Sequence, residues 1–292
     1  MAKATKIIQE RLKQVDMVFE VRDARIPFSS ANPELDRLVG TSKARLVVLN
    51  KADLANSNME RRVVERLRDE GKDAVFTTSS GKGNVKSLMA WARSTGAKRG
   101  EFKTVGVVGM VVGMPNVGKS SIINLLRASA GGVALRGSKK QVARVGANPG
   151  VTRNHTLFCV AKKPLLYVVD TPGVMVPRVS SPSVGLRLAL TRAVPDGVVD
   201  QGEIVNVMLQ HLNRHGLQRK YAEELGLKSG GCTDPEELIY AVERQSGALG
   251  KTETEARLIC CRYLLQAFQE GRFGRLTIDD IYTDEVIQSD RK

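Results

Sequence analysis

The chain has 292 residues, too many for one small domain and about right for two; 42% are hydrophobic, enough for a buried core, and no apolar run is long enough to span a bilayer. A formal net charge of +14 favours an anionic partner, nucleic acid ahead of an acidic membrane surface, and 4% aromatic content argues against an aromatic stacking platform and for duplex or folded RNA held through phosphates and shape. The four cysteines, Cys159, Cys232, Cys260 and Cys261, form no C-x-x-C pair, so neither a zinc ribbon nor a disulfide framework is indicated and a reducing compartment is the default.

Residues 3–15 read as a helix, with Ile8, Leu12 and Val15 recurring on one face. Residues 16–21 read as a short strand, followed by Asp23-Ala24-Arg25-Ile26-Pro27, a turn closed by proline. A second buried strand, 46–49, runs directly into Asn50-Lys51-Ala52-Asp53. In this N-K-x-D pattern Asp53 accepts hydrogen bonds from the N1–H and exocyclic amine of guanine, which adenine cannot supply. Asn50 ties the loop to a phosphate loop, and the Lys51 stem covers one face of the base. A carboxylate left unpaired rejects the wrong base by roughly 10⁴-fold in comparable sites. A charged helix over 58–69 and a strand over 74–77 follow. The next loop carries Ser79 and Ser80, suited to offering backbone N–H groups to guanine O6, though an ordinary serine–glycine loop reads the same way. Residues 85–92 are predicted helical and 94–101 a basic linker.

The run from Val105 to Val112 is valine-rich and bounded by glycines, as expected of a buried parallel strand. It leads into Gly113-Met114-Pro115-Asn116-Val117-Gly118-Lys119-Ser120-Ser121, which fits G-x-x-x-x-G-K-[ST]. The glycines let successive N–H groups turn toward phosphate oxygens, Lys119 reaches the terminal phosphates, and the Ser120 hydroxyl ligates Mg²⁺. A helix over 120–126 directs its positive N-terminal dipole at the same phosphates. Residues 128–147 are glycine-rich, with a basic cluster at Arg136, Lys139 and Lys140, and read as a functional loop. Asn148-Pro149-Gly150-Val151-Thr152-Arg153 follows, where Thr152 is placed to ligate Mg²⁺ when a γ-phosphate is present. Two strands, 155–160 and 165–169, end in Asp170-Thr171-Pro172-Gly173. Asp170 is expected to hold a Mg²⁺-bound water, and the Gly173 N–H to bond the γ-phosphate.

These five elements come in an unusual order, with both base-reading loops ahead of the phosphate loop; no N-K-x-D occurs after Gly113, so the upstream copy is the candidate. That is a circular permutation, which a sheet tolerates if the old termini lay close together and the new break falls in a surface loop. The chain resembles the circularly permuted ribosome-biogenesis GTPases, bacterial and mitochondrial. The likeness rests on M-A-K-A at Met1, D-A-R-I-P-F-S-S at Asp23, N-K-A-D at Asn50, the phosphate loop at Gly113, N-P-G-V-T-R at Asn148, D-T-P-G-V at Asp170, G-L-R-L-A at Gly185 and F-G-R-L at Phe273. It implies an α/β fold, a P-loop domain over a mostly parallel sheet (1–178) followed by a smaller helical RNA-binding domain (179–292). It further implies GTP hydrolysis to GDP coupled to late maturation of the large ribosomal subunit, Mg²⁺ as cofactor, rRNA and ribosomal proteins as partners, and a monomer. Lys119, Thr152 and Gly173 are the expected catalytic residues, and Asn116 stands where some P-loop GTPases hold K⁺. The mitochondrial matrix is the expected compartment, with bacterial cytoplasm and chloroplast as alternatives.

In that family a Pro-Gly-His precedes the M-A-K-A segment and its histidine is thought to assist hydrolysis; this chain begins at Met1 without it. Val174 stands where Ras-like enzymes carry a water-orienting glutamine. Slow intrinsic hydrolysis is therefore expected, and the alternative function is a GTP-gated RNA-binding placeholder with little turnover. A tRNA-modification or membrane GTPase would need a modification domain or lipid anchor, and neither is visible.

From Gly185 onward the chain reads all-helical. Asp234 is an N-cap before Pro235, and Thr252-Glu253-Thr254-Glu255 is a capping box opening a helix with Ile259, Tyr263 and Phe268 on its buried side. Arg257, Arg262, Arg272 and Arg275 are candidate phosphate contacts, or equally a solvated helix face. His211 and His215 stand four apart with no third ligand nearby, so His215 before Gly216 reads as a helix end rather than half of a metal site; Cys260 and Cys261 read as packing.

Overall fold

The structure, a computed structural model, describes residues 8–40, 43–78, 84–98, 106–129, 157–162, 165–170, 179, 181–195, 197–227 and 230–281. Among these, six strands make one sheet in the order β3-β2-β1-β4-β6-β5: β1 Met17–Asp23, β2 Ala44–Asn50, β3 Asp73–Phe76, β4 Val107–Gly113, β5 Leu157–Lys162 and β6 Leu165–Asp170. Every pairing is parallel except β5 with β6. The helices α1 Pro33–Val39, α2 Glu60–Asp69, α3 Val85–Lys98 and α4 Lys119–Ser129 belong with this sheet.

Strand β1 lies between β2 and β4, and all seven of its residues are buried. Its apolar positions contribute to a cluster in which Val18 meets Ile8, Leu12, Leu35, Val39, Met110 and Val169. Two charges share this interior. Arg22 Nε donates to Glu20 Oε1 at 2.8 Å, and Arg45 Nε lies 3.3 Å from Glu20 Oε2, so each buried charge meets its opposite.

Three boundaries differ from expectation. The N-terminal helix is described over residues 8–12, and Val15 is buried beyond its end. Helix α1 was not anticipated, although its signals are present: the Asn32 side chain accepts from Glu34 N at 2.9 Å, and Pro33 takes the first turn. Helix α3 continues through the stretch read as a linker, to Lys98, because no proline interrupts it and the small, buried Gly96 fits a packed position.

The described residues group into two compact units. One draws on Met1–Asp23, Ala31–Ala52 and Glu60–Arg178; the other on Ala24–Ser30, Asp53–Met59 and Val179–Lys292. The second unit holds α5 Pro182–Leu190, α6 Gln201–Arg214, α7 Gln218–Glu224, α8 Pro235–Ala241, α9 Glu243–Ser246 and α10 Glu253–Gln269. Its caps follow the sequence signals. Thr252 and Glu255 form the capping box, Asp234 accepts from Glu236 N, and His215 closes α6 ahead of a left-handed Gly216. The buried stripe of α10 runs through Ala256, Cys260, Leu264 and Phe268, whereas Ile259 and Tyr263 are half-buried. The axis is rotated from the expected one because the cysteines pack inward like small hydrophobes.

His211 on α6 carries a pKa lowered to about 4 from 6.5, by burial first and then by Arg187, Arg214 and His215. The folded ring stays neutral where the unfolded ring protonates, so stability present above pH 6.5 is lost as pH falls toward 4. The loss should reach on the order of 2 kcal/mol once partial exposure is allowed for. Thermal melts across this window should show Tm falling with acid, and His211→Gln should flatten the fall; an unchanged slope in the variant would assign the acid sensitivity elsewhere.

Candidate nucleotide-binding site

Parallel register aligns the carboxyl ends of three strands: Asp23 faces Asn50, and Val21 faces Gly113. Open α/β sheets bind ligands at this edge. Here β2 delivers Asn50-Lys51-Ala52-Asp53 and β4 delivers the loop from Gly113 to Lys119.

The two loops are tied by one buried side chain. Asn50, fully buried, donates from Nδ2 to the Val117 carbonyl at 2.8 Å. Gly118 is glycine for this reason: a Cβ there would overlap Asn50 Nδ2, and its φ of +96° already disfavours side chains. Gly113 is held similarly, since a Cβ would collide with the Val21 carbonyl oxygen of the neighbouring strand. Asn116 and Lys51 adopt left-handed φ of 57° and 61°, which turn each loop sharply. Lys119, first residue of α4, donates from Nζ to the Met114 carbonyl at 2.6 Å, so its ammonium lies over the loop it follows. Asn116 and Ser120 are exposed, and Ser121 is half-buried.

Lys51 Nζ donates to Asp23 Oδ2 at 2.9 Å, and Asp23 is buried. Asp23 had a place in the sequence reading only as the first residue of D-A-R-I-P-F-S-S; its position at the end of a strand register-matched to β2 is the signal that could have found it. Ala52 N donates to the Thr77 carbonyl at 3.0 Å, which brings the end of β3 to the same edge. Asp53 is exposed, in a 3₁₀ turn spanning Ala52–Leu54.

Two buried polar atoms at this edge, Asn50 Oδ1 and Thr77 Oγ1, have no hydrogen-bond partner among the described residues. Such atoms are costly unless something pairs them, which fits a polar ligand such as a purine base. For Mg²⁺, Ser120 offers an exposed hydroxyl at the head of α4; no cluster of three His, Cys, Asp or Glu side chains suited to a metal exists among the described residues. Ser79, Ser80, Thr152 and Gly173 lie outside the described residues, as does the side chain of Asp170, whose backbone ends β6.

Behind Asp53 the turn is gripped by a C-terminal strap. Leu276 N donates to the Leu54 carbonyl at 3.0 Å, Asn56 N donates to Thr277 Oγ1 at 3.2 Å, and Ile278 N donates to the Arg25 carbonyl at 2.7 Å. The buried carboxylate of Asp279 accepts from Phe28 N and Ser29 N, each at 2.8 Å, and from Ser29 Oγ at 2.5 Å. Burial nonetheless raises its pKa, against the pull of those bonds and of Arg187.

A family model described as 50S ribosome-binding GTPase matches residues 108–226. Mitochondrial ribosome-associated GTPase 1 of Mus musculus is 42% identical over 96% of this chain and 88% of its own length. Ribosome biogenesis GTPase A of Bacillus cereus is 30% identical over 96% and 91%. The chain belongs to the circularly permuted GTPases of ribosome biogenesis. GNP-bound YlqF from T. maritima shares the fold, with a TM-score of 0.64 at 21% identity over 96% of this chain and 99% of that one. The GTPase therefore binds GTP and GDP, uses Mg²⁺ as its domain type does, and hydrolyses GTP.

Gly118→Ala should weaken binding of a fluorescent GDP analogue on the order of 100-fold, since it adds backbone strain and displaces Asn50. Wild-type affinity would show that the Asn50 tie is dispensable. Asp279→Ala leaves three buried donors unpaired and should cost about 2–4 kcal/mol in denaturant unfolding, with Asp279→Asn costing less because one acceptor oxygen remains.

Proposed function

We propose that this GTPase acts in late assembly of the large ribosomal subunit in the mitochondrial matrix, where it binds rRNA and GTP hydrolysis times its release. The carrying observation is the Asn50–Val117 bond, which joins a guanine-reading loop to a phosphate loop in a chain whose relatives are named for ribosomes and mitochondria. The net charge of +14 supports a nucleic-acid partner.

In this reading Asp53 accepts the guanine N1–H and amine, Lys51 covers the base while anchored to Asp23, and Ser79 and Ser80 lie in the loop that meets O6. The N–H groups of Val117, Gly118, Lys119, Ser120 and Ser121 receive the phosphates, and Lys119 leaves the Met114 carbonyl for them. Ser120, Thr152 and, through water, Asp170 would hold Mg²⁺, which when bound offsets charge on the phosphates. Gly173 donates its N–H to the γ-phosphate, and Asn116 would hold K⁺ beside it. Val174 can neither donate nor accept a hydrogen bond, so the attacking water lacks an orienting side chain at that position. Residues 1–178 act as the nucleotide domain and 179–292 as the RNA-binding domain, in a monomer.

Steady-state GTP turnover should be slow for the chain alone and rise when purified mitochondrial large-subunit precursors are added. Fast turnover alone would refute the catalytic argument; tight GTP binding with no stimulation would favour a placeholder. Asp53→Asn should weaken GTP and improve xanthosine triphosphate, and equal binding of ATP and GTP by the wild type would sink the base assignment. Turnover should also be higher in K⁺ than in Na⁺ at matched ionic strength; equal rates would remove K⁺ from Asn116.

A further inference from the structure

The arginines singled out near the C-terminus do not behave alike. Arg257 is bidentate to Glu236, with Nη2 2.6 Å from Oε1, and Arg272 pairs with Glu224 at 2.7 Å while stacking on Tyr263. Those guanidiniums are committed to carboxylates, which corrects their reading as free phosphate contacts. Arg262, on the same helix α10, is exposed and has no carboxylate partner among the described residues.

Arg262 borders a cavity of about 190 Å³ formed by the end of α5, the following turn, the first turn of α6 and α10. Arg192 stands on the opposite rim, with a left-handed φ of 60° uncommon for a residue with a side chain. The floor is apolar, including the buried Val194 and Leu265. Gln201 and Gln266 add amides to the wall, and no described lining residue is acidic. The buried Gln201 Oε1 has no hydrogen-bond partner among the described residues. So the cavity combines two cations at its mouth, an apolar floor, and a buried acceptor that needs a donor.

We infer that this cavity takes one base splayed out of folded RNA, the exocyclic amine of adenine, cytosine or guanine donating to Gln201 Oε1 while Arg192 and Arg262 hold the flanking phosphates. The inference rests on the RNA-binding reading above and names its recognition element. Size supports it: sites for whole small molecules occupy roughly 300–1,000 Å³, whereas a lone base ring needs far less. Recognition of a splayed base by edge hydrogen bonds and guanidinium planes suits a chain so poor in aromatics. Uracil, which has no exocyclic amine, fits less well.

The test is fluorescence anisotropy with hairpin RNAs carrying a single unpaired A, C or U, titrated across salt. The wild type should bind the A and C bulges several-fold more tightly than U, and Gln201→Ala should erase that preference. The double variant Arg192→Asn, Arg262→Gln should weaken all three and lower the salt slope by about 1.4–1.8, the share of two phosphates. Circular dichroism and GDP binding check that each variant is folded. A wild type that discriminates no bulge, or a double variant with unchanged affinity and slope, overturns the pocket. A wild type that binds none of the hairpins at low salt, with GDP binding intact, overturns the RNA reading itself and the pocket with it.

Discussion

A single buried amide organises the nucleotide edge. Asn50 ends β2, has no exposure, and spends its donor on the Val117 carbonyl of a loop that follows β4, two strands away across the sheet. That bond requires β1 between them, in register with both, and glycine at position 118 so that the amide has room. The permutation changes which loop the chain makes first and leaves this geometry intact, because the bond depends on strand adjacency rather than on chain order. Asn50 Oδ1 remains buried and unpaired, so the edge carries a desolvation cost that a bound base can relieve. In such an edge the ligand completes the hydrogen bonding of the fold as well as being held by it.

A second constraint acts one residue further on. Ala52 counts with the sheet unit and Asp53 with the helical one, so the guanine-reading tetrapeptide spans the boundary. The backbone just after Asp53 is fixed by Leu276 and Thr277, and the turn after β1 by Ile278 and Asp279. The strap thus joins the turns that follow two neighbouring strands. Asp279 is suited to this work because one carboxylate accepts three donors, which an amide cannot do. Its raised pKa shows that burial outweighs those bonds, so the strap holds its charge at a cost that its geometry must repay.

Much of this was legible in the sequence where local chemistry decides it. The strands were found because doubly buried parallel strands are continuous apolar runs, and the α8 and α10 starts because Asp234 and Thr252 cap by short-range rules. Both loops were read from residue type and spacing, and the structure brings Asn50 against Val117 as that reading requires. What was missed depends on distant partners. Asp23 acquires its role from Lys51, 28 residues on, and the strap acquires its role from turns some 250 residues earlier. Helix α1 was overlooked because its seven residues are too short for periodicity to register. The α10 arginines illustrate the same limit: a positive residue on a helix announces charge, and only the fold tells which charge is already answered.

That last distinction bears on how a basic protein recognises RNA. Net charge gives attraction without discrimination, since phosphates are alike in every sequence. Arg257 and Arg272, answered by Glu236 and Glu224, have their guanidinium planes fixed in the fold and add little net field locally. Discrimination needs a polar group whose cost of burial is relieved by one base and not by another, because an unsatisfied buried acceptor rejects more strongly than an added attraction selects. The nucleotide edge uses this logic with Asn50 Oδ1 and Thr77 Oγ1, and the helical unit presents the same arrangement at Gln201 Oε1. In each, the base that can supply a missing donor is distinguished from one that leaves the buried oxygen dry.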